Sequence, residues 1–260
     1  MLAQQRQELI LEQVRRNGGA RISDLVDILG VSDMTVRRDI AALAEKGLVE
    51  RVHGGAASLR GRSTDEPGFL AKSVLQQQEK ALIAEAAASL VSPGDSVAVS
   101  AGTTTLAVAR ELLAVQPLTV VTNSLPVAEL MHSAGRDPDV VLTGGVRTPS
   151  DALVGPTAVN ALRDLHVDWL FLGVHGLDER AGLTTPNLLE AATDQALIAS
   201  ARQVVVVADS SKWGVVGLST IAPLTEVDVL VTDTGLGPDA RRVLGQRVDR
   251  LLLAGKDLSA

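Results

Sequence analysis

Residues 22–56 read ISDLVDILGVSDMTVRRDIAALAEKGLVERVHGGA, and this stretch decides the class of the amino-terminal domain. Ile22, Leu25, Val26 and Leu29 recur at helical spacing, giving a first helix its buried stripe. Gly30 permits the left-handed turn with which helices commonly end, and Ser32 is placed to cap the helix that follows. In that second helix Val36, Ile40 and Leu43 form the inward face. At about 100° per residue, Met34 and Arg38 point nearly opposite to it, with Thr35 and Arg37 beside them. Gly47 ends the helix, residues 48–53 (LVERVH) alternate as a strand does, and Gly54-Gly55 closes a small wing. An apolar-periodic helix carrying Leu9, Ile10 and Val14 precedes the stretch. Together these elements describe a winged helix-turn-helix reading the major groove of duplex DNA. The candidate DNA contacts are Ser32, Met34, Thr35, Arg37, Arg38, Arg51 and His53. Arginine bonds guanine bidentately or clamps phosphate, and the sequence leaves open which of these each arginine does.

A chain of 260 residues is long enough for a small DNA module and one sizeable core. The net charge of −7 is unusual for a DNA binder until it is partitioned. Residues 1–62 hold 10 Lys/Arg and 8 Asp/Glu, whereas the remainder holds 14 and 23, so the positive field is local. An acidic body repels DNA along every approach except that of the basic module. Cysteine is absent, which removes disulfides and thiolate metal sites and fits a reducing cytosol. No run of about 18 apolar residues and no charged-then-apolar leader is present, so a cytoplasmic protein without membrane contact is expected. Aromatic residues make up only 2%, too few for the stacking platforms that single strands and RNA require.

Residues 58–76 are polar, broken by Gly61, Pro67 and Gly68, and read as a linker between domains at 1–57 and 77–260, helical at its end if anywhere. Beyond it, apolar runs alternate with Ala/Leu-rich helical stretches. Strands are predicted at about 95–100, 118–122, 139–143, 168–173, 203–208, 227–232 and 248–253. Helices are predicted at about 78–91, 103–113, 125–134, 156–164, 188–201 and 238–245. Continuous Val/Ile/Leu strands between helices imply an α/β domain with a mainly parallel sheet covered on both faces. Polar residues gather where those strands end. Ser100, Gly102, Thr103, Thr104 and Thr105 follow a strand and open a helix, a natural anion cradle. Asn123 and Ser124, Gly144 and Gly145, His175, and Lys212 end four further strands. In an open α/β sheet such loops share one crevice, where ligands bind. Hydroxyls, glycine amides, an amide and a lysine suit a polyol carrying phosphate or another anion. His175 reads equally well as a ligand contact or a hydrogen-bonded loop residue. Asp168 reads as a cap for a neighbouring loop, Trp169 and Trp213 as packing residues, and His132 and His166 lack metal spacing, so neither metal nor cofactor is expected.

The run VSDMTVRRDIAALAEKGLVERVHGGA at 31–56 strongly resembles the amino-terminal signature of the DeoR family of bacterial transcriptional regulators. The elements AGTTT (101–105), TNS (122–124), LTGG (142–145), VDWLFLG (167–173) and ADSSKWG (208–214) resemble its sensor domain. The resemblance implies a sensor fold similar to ribose-5-phosphate isomerase. It also implies a repressor that binds its operator as a homo-oligomer, dimer or tetramer, and is released by a small effector, typically a phosphorylated sugar. Two positions depart from the family pattern. Ser100 stands where that pattern has an acidic residue, and Asp194 stands near the place of a lysine. The alternative functions are a sugar-phosphate isomerase or deaminase, for which Asp209 and Glu190 are the candidate bases, and an architectural DNA protein. The latter conflicts with the acidic body and the lack of a minor-groove wedge.

Overall fold

A computed structural model describes residues 2–17, 19–46, 48–52, 54–57, 68–73, 75–134 and 139–255. The chain divides into two compact units, Met1–Arg62 and Ser63–Ala260. His53, Gly47 and most of the linker stretch, residues 58–67 and 74, lie outside the described residues.

The first unit is built from α1 (Ala3–Asn17), β1 (Gly19–Arg21), α2 (Ile22–Leu29), α3 (Asp33–Glu45), β2 (Glu50–Val52) and β3 (Gly55–Ala57). Ile10, Val14, Ile22, Leu25, Leu29, Val36, Ile40, Leu43, Val49 and Ala56 form its core. Gly30 adopts the left-handed conformation (φ 63°), and its N–H reaches the Val26 carbonyl, closing α2 as expected. Ser32 caps α3, its hydroxyl accepting from the Thr35 N–H at 3.3 Å. The strands form an antiparallel sheet in the order β1-β3-β2, so β1, absent from the sequence reading, completes the wing. A Cβ on Gly55 would stand 2.2 Å from the Ala20 carbonyl oxygen, so glycine there is a requirement of strand packing. Asp39 lies on the inward arc of α3, only 4% exposed, and receives Arg6 Nε at 2.7 Å and Nη2 at 3.3 Å. This two-pronged pair ties α1 to α3.

The second unit opens with α4 (Phe69–Ser73), α5 (Gln77–Ala88), β4 (Ser96–Val99), α6 (Thr103–Leu112), β5 (Thr119–Thr122), α7 (Leu125–Ser133) and β6 (Asp139–Leu142). It continues with β7 (Val146–Arg147), β8 (Leu153–Val154), α8 (Pro156–Leu162), β9 (Val167–Gly173), β10 (Gly176–Asp178) and β11 (Gly182–Thr185). It ends with α9 (Leu188–Ser200), β12 (Ala201–Val207), β13 (Ser219–Ala222), β14 (Val229–Asp233), α10 (Pro238–Arg247) and β15 (Arg250–Ala254). All seven strands expected from the apolar runs form one wholly parallel sheet in the order β15-β14-β12-β9-β4-β5-β6. Alternate residues feed opposite faces. Val97, Val99, Phe171, Val205 and Val207 pack with Ile83, Val108, Leu112, Val127 and Met131 of α5, α6 and α7. Ala98, Leu170, Leu172, Val204 and Val206 pack with Leu162, Ala191, Leu197 and Leu244 of α8, α9 and α10.

The chain walks from β4 out through β5 to β6, then returns to the other side of β4 and continues through β9, β12, β14 and β15. The order therefore reverses between β4 and β9. The short antiparallel sheet β10-β11-β13 and the β7–β8 hairpin were not read from the sequence. Their strands run two to four residues, too brief to show a period.

Phe171 is fully buried on the central strand β9. Phe171→Ala is expected to lower unfolding free energy by about 3–5 kcal/mol in urea denaturation. A loss under about 1 kcal/mol would mean that this strand is not the centre of a packed core.

Candidate nucleic-acid interface and effector crevice

On α3 the two adjacent arginines differ. Arg37 Nε bonds Asp33 Oδ1 at 2.5 Å, one turn back on the same helix, and that bond raises the guanidinium pKa. Arg38 is exposed and makes no hydrogen bond or ion pair among the described residues. Met34, 69% exposed, stands one turn before it on the same face. Thr35 is half-buried, and its hydroxyl shares a 2.9 Å bond with that of Ser32, so both serve the cap as well as the surface. Arg51 is exposed on β2, opposite Ala56. His53 lies outside the described residues. The outward face of α3 thus presents one apolar and one unengaged cationic side chain, a combination able to meet both base edges and phosphates.

In the second unit the strand-end loops are built around the reversal between β4 and β9, the position where open α/β sheets leave a crevice at their carboxyl ends. Ser100 closes the seam. Its N–H donates to the Phe171 carbonyl at 3.0 Å, and its Oγ accepts from the Gly173 N–H at 3.0 Å. Thr105 packs its methyl group beside Gly173 and donates its hydroxyl to the Gly102 carbonyl at 3.0 Å. Gly102 caps α6 without a side chain, leaving the first amides of the helix to whatever occupies the crevice. Thr103 is half-exposed at this end, and Thr104 is 7% exposed.

Two of the expected ligand contacts are engaged within the protein. Asn123, 2% exposed, accepts from the Ala101 N–H at 3.0 Å and donates to the Leu153 carbonyl at 3.3 Å. Ser124 is fully buried and caps α7 by accepting from the Val127 N–H. Asn123 thus braces the loop after β4, and Ser124 closes the first turn of α7. Gly144 and Gly145 follow β6 with φ of 71° and 126°, and a Cβ on Gly145 would stand 2.6 Å from the Val154 carbonyl oxygen. They permit the close approach of β8. His175 is half-buried, with its N–H on the Thr184 carbonyl. Lys212 is half-buried on a 3₁₀ turn (Ser210–Lys212) and makes no ion pair among the described residues.

Sequence reasoning missed two more lysines. Lys80 on α5 is 7% exposed, and its ammonium donates to the carbonyls of Lys72 at 2.7 Å and Leu75 at 2.6 Å. Burial pushes its pKa down, opposed by the charge of Asp209 and reinforced by Lys212 and Lys72. Lys72 Nζ reaches Ser150 Oγ at 2.8 Å. Asp209, Lys212 and Lys72 therefore each lie within electrostatic reach of the Lys80 ammonium. Nothing local in an Ala-rich helix marks Lys80, since its burial comes from the fold-back of α4.

The two carboxylates considered as catalytic bases are engaged. Asp209 accepts from the N–H and hydroxyl of Ser211. Glu190 accepts from Thr148 Oγ1 at 2.8 Å and Thr185 Oγ1 at 3.1 Å. Asp168 is a loop cap as expected, since Ser96 donates to it through both N–H and hydroxyl and holds its carboxyl below the usual range. Trp169 donates its indole N–H to Asp95, and Trp213 packs on the core. A groove lined by Ser92, Asp95, Asp168, Trp169 and Arg202 lies at the amino ends of β4, β9 and β12, away from the reversal crevice. Among the described residues no cluster of His, Asp and Glu has metal-binding geometry, and no helix is long and apolar enough to cross a membrane.

Residues 6–62 match the DeoR-like helix-turn-helix domain, and residues 75–234 match the DeoR C terminal sensor domain. The chain is 37% identical over 254 residues to the HTH-type transcriptional regulator YgbI of Escherichia coli, covering 98% of this chain and 99% of that one. It is 38% identical over 242 residues to the HTH-type transcriptional regulator GlpR of Haloferax volcanii, covering 93% and 94%. It is 34% identical over 228 residues to the HTH-type transcriptional repressor CsqR of Escherichia coli, covering 88% and 87%. Among solved structures, ribose 5-phosphate isomerase A of Methanocaldococcus jannaschii matches at 19% identity and a TM-score of 0.40, over 53% of this chain and 54% of that one. The sequence relatives are named as regulators and not as enzymes, which sets aside the isomerase and deaminase reading. With its head and its body both matched, the chain belongs to the DeoR family of helix-turn-helix transcriptional regulators.

Proposed function

We propose that the chain is a cytoplasmic repressor that grips its operator through α3 and the wing and releases it when a phosphorylated sugar enters the crevice between β4 and β9. The observation that carries the sensing half is that the α6 amino terminus follows β4 and Lys212 follows β12, the two strands that flank β9 at the reversal, and that Lys212 has no ion-pair partner among the described residues. Helix amides and an ammonium favour an anion. Lys72 and Lys80 strengthen the positive potential at that end. Thr103, half-exposed, offers a hydroxyl to the rest of the ligand, and Ser100, Gly144, Gly145 and His175 shape the surrounding loops. A homo-oligomer, dimer or tetramer, would present paired heads to a palindromic or repeated operator. Effector binding favours one arrangement of the oligomer, and the 58–76 stretch joins the body that senses to the head that reads.

Two outcomes are expected. Arg38→Ala should weaken binding to duplexes selected from a random library by the unaltered protein by about tenfold or more, and lower the salt slope by about one. Arg37→Ala should do less, because Asp33 already neutralises much of its charge. An unchanged gel-shift titration for Arg38→Ala would contradict the α3 assignment. For the body, a thermal-shift panel of ribose 5-phosphate, fructose 6-phosphate and glucitol 6-phosphate should raise the melting midpoint with at least one compound. Lys212→Met should abolish that rise. Stabilisation by none of them, or full stabilisation of the Lys212→Met protein, would overturn the phosphorylated-sugar reading.

A further inference from the structure

On α9, Asp194 follows Glu190 by one turn, so both side chains lie on the same face of the helix. Glu190 is fixed between Thr148, just ahead of β8, and Thr185, at the end of β11. Asp194 is 8% exposed yet makes no hydrogen bond or ion pair among the described residues. Among the described residues the one enclosed side-chain polar atom lacking a partner is Gln116 Nε2. Both Asp194 oxygens therefore keep some contact with solvent space, and the small exposed fraction of this residue includes its polar end. A carboxyl so enclosed, open at its tip and without a partner, is costly unless something comes to meet it.

We infer that Asp194, paired with Glu190, is a specificity-determining residue that recognises adjacent hydroxyl groups of the effector, at the end of the crevice away from its phosphate. This inference rests on the phosphorylated-sugar reading above. The 148–150 loop joins the two ends. Thr148 holds Glu190, while Ser150 accepts from Lys72, and Lys72 and Lys212 each stand within electrostatic reach of Lys80. One loop thus ties the acidic pair on one side to a lysine on the other.

Burial, followed by the charge of Glu190, pushes the Asp194 carboxyl well above the usual carboxylate range. A carboxyl held in this way accepts through its lone pairs and, when protonated, also donates one O–H. A vicinal diol matches that set, because each hydroxyl both donates and accepts. Phosphate alone has no use for it, and a second anion at this end would meet repulsion.

The test titrates the full chain with ribose 5-phosphate, fructose 6-phosphate, glucitol 6-phosphate and inorganic phosphate, comparing the unaltered protein with D194N, D194A and D194L. Asparagine reproduces the shape of a neutral carboxyl and keeps both a donor and an acceptor. D194N should hold the affinity for the tightest sugar phosphate within about threefold, whereas D194A and D194L should lose about tenfold or more. Inorganic phosphate should bind all four proteins alike. Whichever of D194A and D194L keeps a cooperative melt decides the matter. Equal affinities for the sugar phosphate across all variants, or parallel losses of sugar phosphate and inorganic phosphate, would overturn the role of Asp194 while leaving the phosphate site intact. Binding of inorganic phosphate without any sugar phosphate would likewise overturn it. Failure of the unaltered protein to bind any of the four probes would overturn the sugar-phosphate reading and this inference with it.

Discussion

At the seam between β4 and β9 the chain must reverse the direction in which it lays strands, and the rest of the sensing body is arranged around that reversal. Ser100 holds the seam with one donor and one acceptor, Thr105 fills the space beside Gly173, and Asn123 fixes the adjoining loop through Ala101 and Leu153. These side chains are buried and spent on the backbone. The α6 amino terminus itself has no side-chain cap. A parallel sheet covered on both faces has few other places where backbone donors can remain available without being enclosed.

The head obeys a different economy. Among the described residues its core holds ten buried apolar side chains, too few to tolerate loose helix packing. The Arg6–Asp39 pair therefore matters beyond its electrostatics, because it locks α1 across α3 and sets the direction of the outward face. Asp33 restrains Arg37 along the helix surface, which leaves Arg38 as the freer of the two arginines. Two identical neighbouring side chains acquire separate roles from a single carboxylate one turn away.

Much of this was legible in the residues. Every strand of the parallel sheet was found because its apolar run is continuous, in the inner strands through burial of both faces, and the partly exposed edge strands β6 and β15 keep such a run as well. Ser32 and Gly30 announced the helix boundaries because capping chemistry is local. The short strands β1, β7, β8, β10, β11 and β13 were invisible, since two to four residues carry no period. At the strand-end loops, the sequence did not sort the side chains by role. Asn123 and Ser124 read as ligand contacts because polar residues at strand ends serve ligand and backbone alike, and their burial and internal bonds come from the fold. Lys80, Lys72 and the Arg6–Asp39 pair escaped because their partners or their burial come from chain that is distant in sequence or folds back. Asp194 stood out only as a departure from the family pattern. Its enclosure without a partner is a property of the fold.

The most direct measurement is a crystal structure of the full chain grown with whichever sugar phosphate stabilises it most. The phosphate is expected within hydrogen-bond distance of the Gly102–Thr105 amides and of Lys212, with the sugar hydroxyls directed toward Glu190 and Asp194. A phosphate seated instead in the groove of Arg202 and Trp169, at the opposite end of the strands, would contradict the assignment of the crevice.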